Sequence, residues 1–291
     1  MADRSGLFAV PAPVRALFRL VPLRVYESEP MPCRAPSEMR SRPRLHVYGV
    51  DGQGLSCDPA CLMWQTFLRI AHVDVDLVTS SPLASPDGSL PFLLPSSTEP
   101  KADMPLTGSA MARYVRGHAS SGSGSEQPAA DLEVYLALLT QHIRPAWNYA
   151  LFSHPANESL LAELYLSSRS AIPLSLRLPS LRVAMDIKPA KQPPQDVVSD
   201  ARRAFRALDT LLACAPDSHN NPWFFGAQRP GLFDAHVFSY TYPLLKNNPP
   251  LPWADDFSLR DCLVGCPRLS AHCDNLYASC WPPGDADDRA V

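Results

Sequence analysis

The sequence predicts an α/β half followed by an all-helical half, and three observations carry that prediction. Residues 44–94 spell out strand, helix, strand and a further short strand, each with its own periodicity or punctuation. Residues 119–130 (ASSGSGSEQPAA) have the composition of a linker. Beyond them the apolar residues recur only at helical spacing.

The elements follow in chain order. Arg44 to Val50 (RLHVYGV) has the β-branched and aromatic content of a strand entering a core, and Asp51-Gly52-Gln53-Gly54 breaks it. Ser56 or Asp58 supplies an N-cap, and Pro59 fits the first helical turn, where its missing N–H costs nothing. In the helix that follows, Leu62, Phe67, Leu68 and Ala71 stand at helical spacing. Val73 to Val78 (VDVDLV) alternates as a second strand should, and a right-handed crossover makes it parallel to the first. After a polar loop over 79–89, Leu90-Pro91-Phe92-Leu93-Leu94 is a short apolar strand, with a hairpin partner expected around Met104-Pro105-Leu106. Thr107 to Val115 reads as a capped helix. A small sheet with proline at the mouth of its third strand is the thioredoxin plan, in which that peptide bond is usually cis.

Past the linker, Asp131 to Phe152 is a long amphipathic helix, with Leu132, Tyr135, Leu136, Leu139, Ile143 and Trp147 on one side. Leu160 to Ile172 continues helically, and Leu174 to Leu181 is broken by proline. Val197 to Ala213 is a further helix with an arginine-bearing outer face, and Asp234 to Leu245 and Pro267 to Trp281 complete a bundle. The expected boundaries are an N-terminal arm over 1–43, a thioredoxin-like domain over 44–118, the linker over 119–130, an all-helical domain over 131–281 and a solvated acidic tail over 282–291.

Composition bounds the chemistry. A chain of 291 residues with 46% hydrophobic content is long enough for two cores. Its net charge of −3 argues against a nucleic-acid binder driven by a basic field. The 32 prolines, about twice the usual share, predict many segment breaks. Eight cysteines in a chain without a secretory signal give no reason for a disulfide scaffold. Cys266, Cys273 and Cys280 recur every seven residues and read as one buried helix face. No CxxC pair or closely paired histidines complete a metal set, and His46, His118, His142, His219 and His236 read as surface or cap residues. No P-loop, Rossmann fingerprint or HExxH is present.

No run of 18 apolar residues exists to span a bilayer. The stretch Leu7 to Tyr26 is apolar with Arg15, Arg19 and Arg24 set into it, and residues 1–44 hold eight arginines against four acids. It reads as a cleaved transit segment or as an uncleaved arm lying on a partner or on lipid headgroups. Pro11, Pro13 and Pro22, with scarce serine, favour the arm. In that reading Leu17, Phe18 and Leu20 dock while Arg15, Arg19 and Arg24 meet acidic groups or lipid phosphates.

Two stretches carry a family resemblance. The first runs from Leu45 through Asp58-Pro59-Ala60-Cys61 and VDVDLV to Leu94. The second is Trp223-Phe224-Phe225-Gly226, followed by Leu232 to Tyr240 and Pro243-Leu244-Leu245. In order and spacing they resemble the metaxin family, transferase-like outer-membrane proteins of the mitochondrial sorting and assembly machinery, over residues 44–281. The resemblance implies a glutathione-transferase-like fold in which Asp234 is structural, forming half a capping box with Gly231 at the cap, and in which Pro91 is kept for fold. It also implies a non-catalytic subunit without a cofactor, like the peripheral metaxin-like subunit of fungi, since this chain ends in no hydrophobic anchor. Such a subunit sits on the cytosolic face of the outer membrane, held by a β-barrel protein and a second metaxin-like subunit, and binds or stabilises β-barrel precursors during insertion.

A transferase enzyme is the first alternative. It needs a nucleophile beside the first helix's N-terminus, and Cys57 is the residue to test. Cys57 and Cys61 are spaced CxxxC, however, and Thr107-Gly108-Ser109 has glycine where the glutamyl-holding pair would carry Glu or Gln. A soluble scaffold with no membrane role is the second alternative.

Overall fold

The computed structural model describes residues 40–51, 53–119, 129–153, 157–165, 194–214, 222–245 and 258–282. The arm residues Arg15, Leu17, Phe18, Arg19, Leu20 and Arg24 lie outside the described residues, as do most of the linker, the stretch 166–193 and the acidic tail.

Strand β1 (Arg44–Val47) is central in a three-stranded sheet of order β2-β1-β3. It runs parallel to β2 (Asp76–Thr79), with Leu45 opposite Leu77, and antiparallel to β3 (Phe92–Leu94), with Leu45 opposite Leu93. The crossover from β1 to β2 is helix α1 (Pro59–Ile70). Asp58 is its N-cap, accepting a hydrogen bond from the Cys61 N–H, and Pro59 opens the first turn. The Leu90–Pro91 bond is cis. The expected hairpin partner is a single bridge, Leu93 to Leu106. Helix α2 (Gly108–His118) follows, but the Thr107 side chain at its N-cap makes no capping bond, contrary to the sequence expectation.

The second half opens with a helical run over 129–153, here α3, that is wound partly as π-helix at Leu139–Ile143 and Tyr149–Ser153. Pro145 accounts for the first widening, because it has no N–H for the preceding turn and its ring crowds the carbonyl four residues back. Helices α4 (Glu158–Tyr165), α5 (Pro194–Cys214), α6 (Leu232–Leu245), α7 (Ser258–Val264) and α8 (Pro267–Cys280) complete the described residues. In α5, Val197, Ala201, Ala204, Phe205, Leu208 and Leu212 are buried, while Arg202, Arg203 and Arg206 are exposed. Cys266 at the N-cap of α8 offers no side-chain cap. Instead the N–H groups of Arg268 and Leu269 donate to Asp209 Oδ1 of α5, at 2.9 and 3.0 Å. The sequence reading missed α7, a seven-residue helix too short to show a period.

Helix α6 is buried almost all round, which makes it the hub of the fold. One face enters the core of the helical half, among Trp147, Phe205, Phe224, Phe233 and Leu269. The other face meets the thioredoxin-like half, where Leu55 and Leu62 pack with Phe238, Tyr242, Cys273, Leu276, Cys280 and Trp281. Cys266, Cys273 and Cys280 are buried, as their spacing suggests. His46 corrects the expectation of a surface residue: it is buried and stacked on Phe92 with ring centroids 4.2 Å apart. No helix among the described residues is long and apolar enough to cross a membrane.

Candidate functional site

In a thioredoxin-like half, the place for chemistry is the N-terminus of α1, where the helix dipole favours a thiolate or an anion. Here the chain has closed that place on itself. The loop before α1 is fastened from inside: Val50 and Ser56 form an antiparallel bridge, and Asp51 Oδ1 accepts from the N–H groups of Gln53 and Leu55, both at 2.9 Å. Gln65, buried in the second turn of α1, accepts from the Ser56 N–H at 2.9 Å and donates to the Gly54 carbonyl at 2.7 Å.

The helical half supplies the rest of the closure. Asp58 Oδ1 is occupied by the Cys61 N–H, and Asp58 Oδ2 accepts from the Tyr165 hydroxyl at 3.0 Å, across 107 residues of sequence. Tyr165 packs edge-on against Tyr48, with centroids 4.8 Å apart, so two phenol rings lie beside the cap. Gly49 lets the end of α4 come close: a Cβ there would stand 3.2 Å from the Leu164 carbonyl oxygen. A second tie joins the halves where the Tyr242 hydroxyl donates to Asp51 Oδ2 at 3.1 Å.

These surroundings set the protonation states. Burial raises the Asp58 carboxyl above the ordinary range, opposed by the bonds from Cys61 and Tyr165. Burial, and then the Asp58 charge, push the Cys61 thiol well above its ordinary value, so Cys61 is a protonated, inert thiol. Tyr165 is raised by the same two causes. Cys57, the nucleophile of the enzyme alternative, is 6% exposed, and its N–H donates to the Gly49 carbonyl at 3.3 Å.

The remaining parts of a thiol-peptide site are spread out. Pro91 forms its cis bond at the mouth of β3. Gly108 takes φ +44, a backbone conformation that strains any side chain, so glycine in the place of Glu or Gln is a backbone requirement here. Ser109 is exposed.

Asp234 lies elsewhere, at the first turn of α6, and is fully buried. Its Oδ2 accepts from the Gly231 N–H at 2.8 Å, the half of a capping box that the sequence contains. Its Oδ1 accepts from the Phe224 N–H at 3.1 Å and from His272 Nε2 at 2.9 Å. Sequence reasoning missed His272, Tyr165 and Gln65. Only Gln65, nine residues from its partner on a helix otherwise apolar on that side, left a local signal.

Comparison with known proteins agrees with this architecture. The family model for the glutathione S-transferase N-terminal domain matches residues 59–157, and that for the C-terminal domain matches residues 201–276. Metaxin-3 from Xenopus laevis is 24% identical over 260 residues, which span 85% of this chain and 79% of that protein. Glutathione transferase GSTFuA3 from Phanerochaete chrysosporium superposes with a TM-score of 0.53 at 10% identity, over 82% of this chain and 98% of that one. The β-etherase LigF from Sphingobium sp. strain SYK-6 superposes at 0.50 and 14% identity, over 81% and 95%. At these identities the structural likeness speaks for the fold.

Proposed function

We propose, from the similarity to Metaxin-3 and the glutathione S-transferase N- and C-terminal domain matches, that the chain acts as a non-catalytic binding subunit of the mitochondrial outer-membrane sorting and assembly machinery. In this reading it lies peripherally on the cytosolic face, is held by an outer-membrane β-barrel protein and a second metaxin-like subunit, and binds or stabilises β-barrel precursors. Residues 44–118 and 131–281 are its two working domains, and the arm, through Leu17, Phe18, Leu20 and the arginines Arg15, Arg19 and Arg24, is the membrane-side contact.

The observation that carries the non-catalytic reading is the Asp58–Tyr165 contact. In a working thiol site the helix N-terminus faces substrate. Here its capping carboxylate is spent on the chain's own Cys61 N–H and Tyr165 hydroxyl, and the nearby thiols are buried. The place that would hold a small anionic ligand is used as a joint between the two halves, which suits a rigid platform for protein partners.

The test is a native pull-down of tagged full-length protein from gently solubilised mitochondria, with the co-purifying chains identified by mass. An outer-membrane barrel protein and a second transferase-like chain are expected. Recovery of the chain alone from the soluble fraction would overturn the assembly reading. Deleting residues 1–30 with no loss of assembly would remove the arm's role. Saturable glutathione binding, with turnover abolished by Cys57→Ser, would replace the non-catalytic reading with the transferase one.

A further inference from the structure

The loop from β2 to β3 contains a feature that a binding role does not use. The whole chain has just two Ser-Pro dipeptides and no Thr-Pro, and both lie in this loop, four residues apart: Ser81-Pro82 and Ser85-Pro86. Proline after a serine holds that serine extended, because its ring crowds the α region of the residue before it. Ser81 has φ −114 and ψ 158, and Ser85 has φ −83 and ψ 140. An extended, accessible serine with proline next to it is the substrate form that proline-directed serine/threonine kinases read.

The two serines differ in how firmly the fold holds them. Ser81 is exposed, its side chain makes no cap to the three-residue 3-10 turn it precedes, and its hydroxyl has no partner among the described residues. Leu83, two residues on, is 96% exposed, so the segment that a kinase groove must grip stands clear of the body. Ser85 is half-buried and tied into its turn three times. Its N–H donates to the Pro82 carbonyl at 3.1 Å, its carbonyl accepts from the Gly88 N–H at 3.3 Å, and its Oγ accepts from the Asp87 N–H at 3.3 Å. Presenting Ser85 to an active site means opening that turn first.

We propose that Ser81 is the preferred phosphoacceptor for a proline-directed serine/threonine kinase, ahead of Ser85. Ser81 Oγ attacks the γ-phosphorus of ATP. The new O–P bond forms as the bond from that phosphorus to the β,γ-bridging oxygen breaks, ADP leaves, and the hydroxyl proton passes to the kinase's catalytic carboxylate. The product carries about −1.5 to −2 charge at neutral pH. Residues 80–91 include one acid, Asp87, and no lysine, arginine or histidine, so the loop has no cation of its own to neutralise the phosphate. The modification therefore displays an anionic mark at the exit of the edge strand, for a basic partner to bind or an acidic one to avoid.

The experiment incubates the full chain with ATP and a purified proline-directed kinase, alongside a Ser-Pro peptide that confirms kinase activity, and maps phosphate by mass spectrometry over time. Ser81 is expected to be modified first, with Ser85 slower on the order of tenfold, the factor expected for opening a turn held by weak bonds. S81A should lose most of the incorporation and melt with the wild type, since the Ser81 side chain is exposed and makes no cap, while S85A should retain the incorporation. Phosphate arriving first or equally at Ser85, or failing to reach this loop while the peptide is phosphorylated, overturns the proposal.

Discussion

Removing the Asp234 carboxylate is the sharpest perturbation the fold offers. Three donors converge on it in a dry interior: the Gly231 and Phe224 N–H groups and His272 Nε2, at 2.8, 3.1 and 2.9 Å. Both side chains of the Asp234–His272 pair are essentially inaccessible, at 0% and 1%. In Asp234→Ala the donors have no replacement acceptor, and each buried unsatisfied donor costs about 1–3 kcal/mol. The terms do not add in full, since the wild type already bears the cost of burying the carboxylate, so the net loss should be about 3–5 kcal/mol. For a unit of this size that is a fall in melting temperature of roughly 6–20 °C. Asp234→Asn keeps one oxygen but turns an amide N–H toward a backbone N–H, and should cost about 1–2 kcal/mol. His272→Phe keeps a ring against Trp223 and Phe224 and removes one donor. The assay is urea unfolding followed by far-ultraviolet circular dichroism on wild type, D234A, H272F and the double variant. The double variant should lose less than the sum of the single losses, with a coupling of about 1–3 kcal/mol. A D234A loss below about 1 kcal/mol, or simple additivity, would refute the buried-network account.

Two further predictions concern the joint and the response to acid. Tyr165→Phe deletes the hydroxyl that donates to the buried Asp58 carboxylate and should cost about 1.5–3 kcal/mol by chemical denaturation, the range for a bond to a charged group. An unchanged midpoint would mean that this contact does not hold the halves together. His236 has its pKa lowered by burial to about 4, so the folded state favours the neutral ring. The unfolded chain then binds the extra proton between about pH 6.5 and 4, and this group's contribution is complete above the unfolded value and fades as pH falls toward 4. Stability should therefore drop across that window, and His236→Gln, with no charge to gain, should flatten part of the drop. A variant profile parallel to the wild type would show that His236 is not a source of acid sensitivity. Burial and the Arg44 and Arg40 charges lower His46 in the same sense, so some of the slope should survive in the variant.

What the sequence determined by itself is local. Asp58-Pro59 starts α1 because a capping carboxylate and a proline without N–H suit one helix end, and both signals act within three residues. The proline at the mouth of β3 and the spacing of Val197, Ala201, Phe205 and Leu208 are likewise legible, because period and burial are properties of one segment, whereas the strand expected from alternation over 73–78 forms three residues later, at Asp76–Thr79. Gly231 and Asp234 were readable as half a box for the same reason. What only the tertiary structure decided is which distant groups meet. Tyr165 reaches Asp58 across 107 residues, Tyr242 reaches Asp51 across 191, Asp209 caps α8 from 59 residues away, and His272 joins Asp234 across 38. Nothing in the neighbourhood of Asp58 signals that its second oxygen is taken. The pairing depends on how α4, α6 and α8 stack, which is set by the shape of the apolar core rather than by any local rule. The difference between an open thiol site and a closed joint is made by that stacking, so composition and motif alone leave it undetermined.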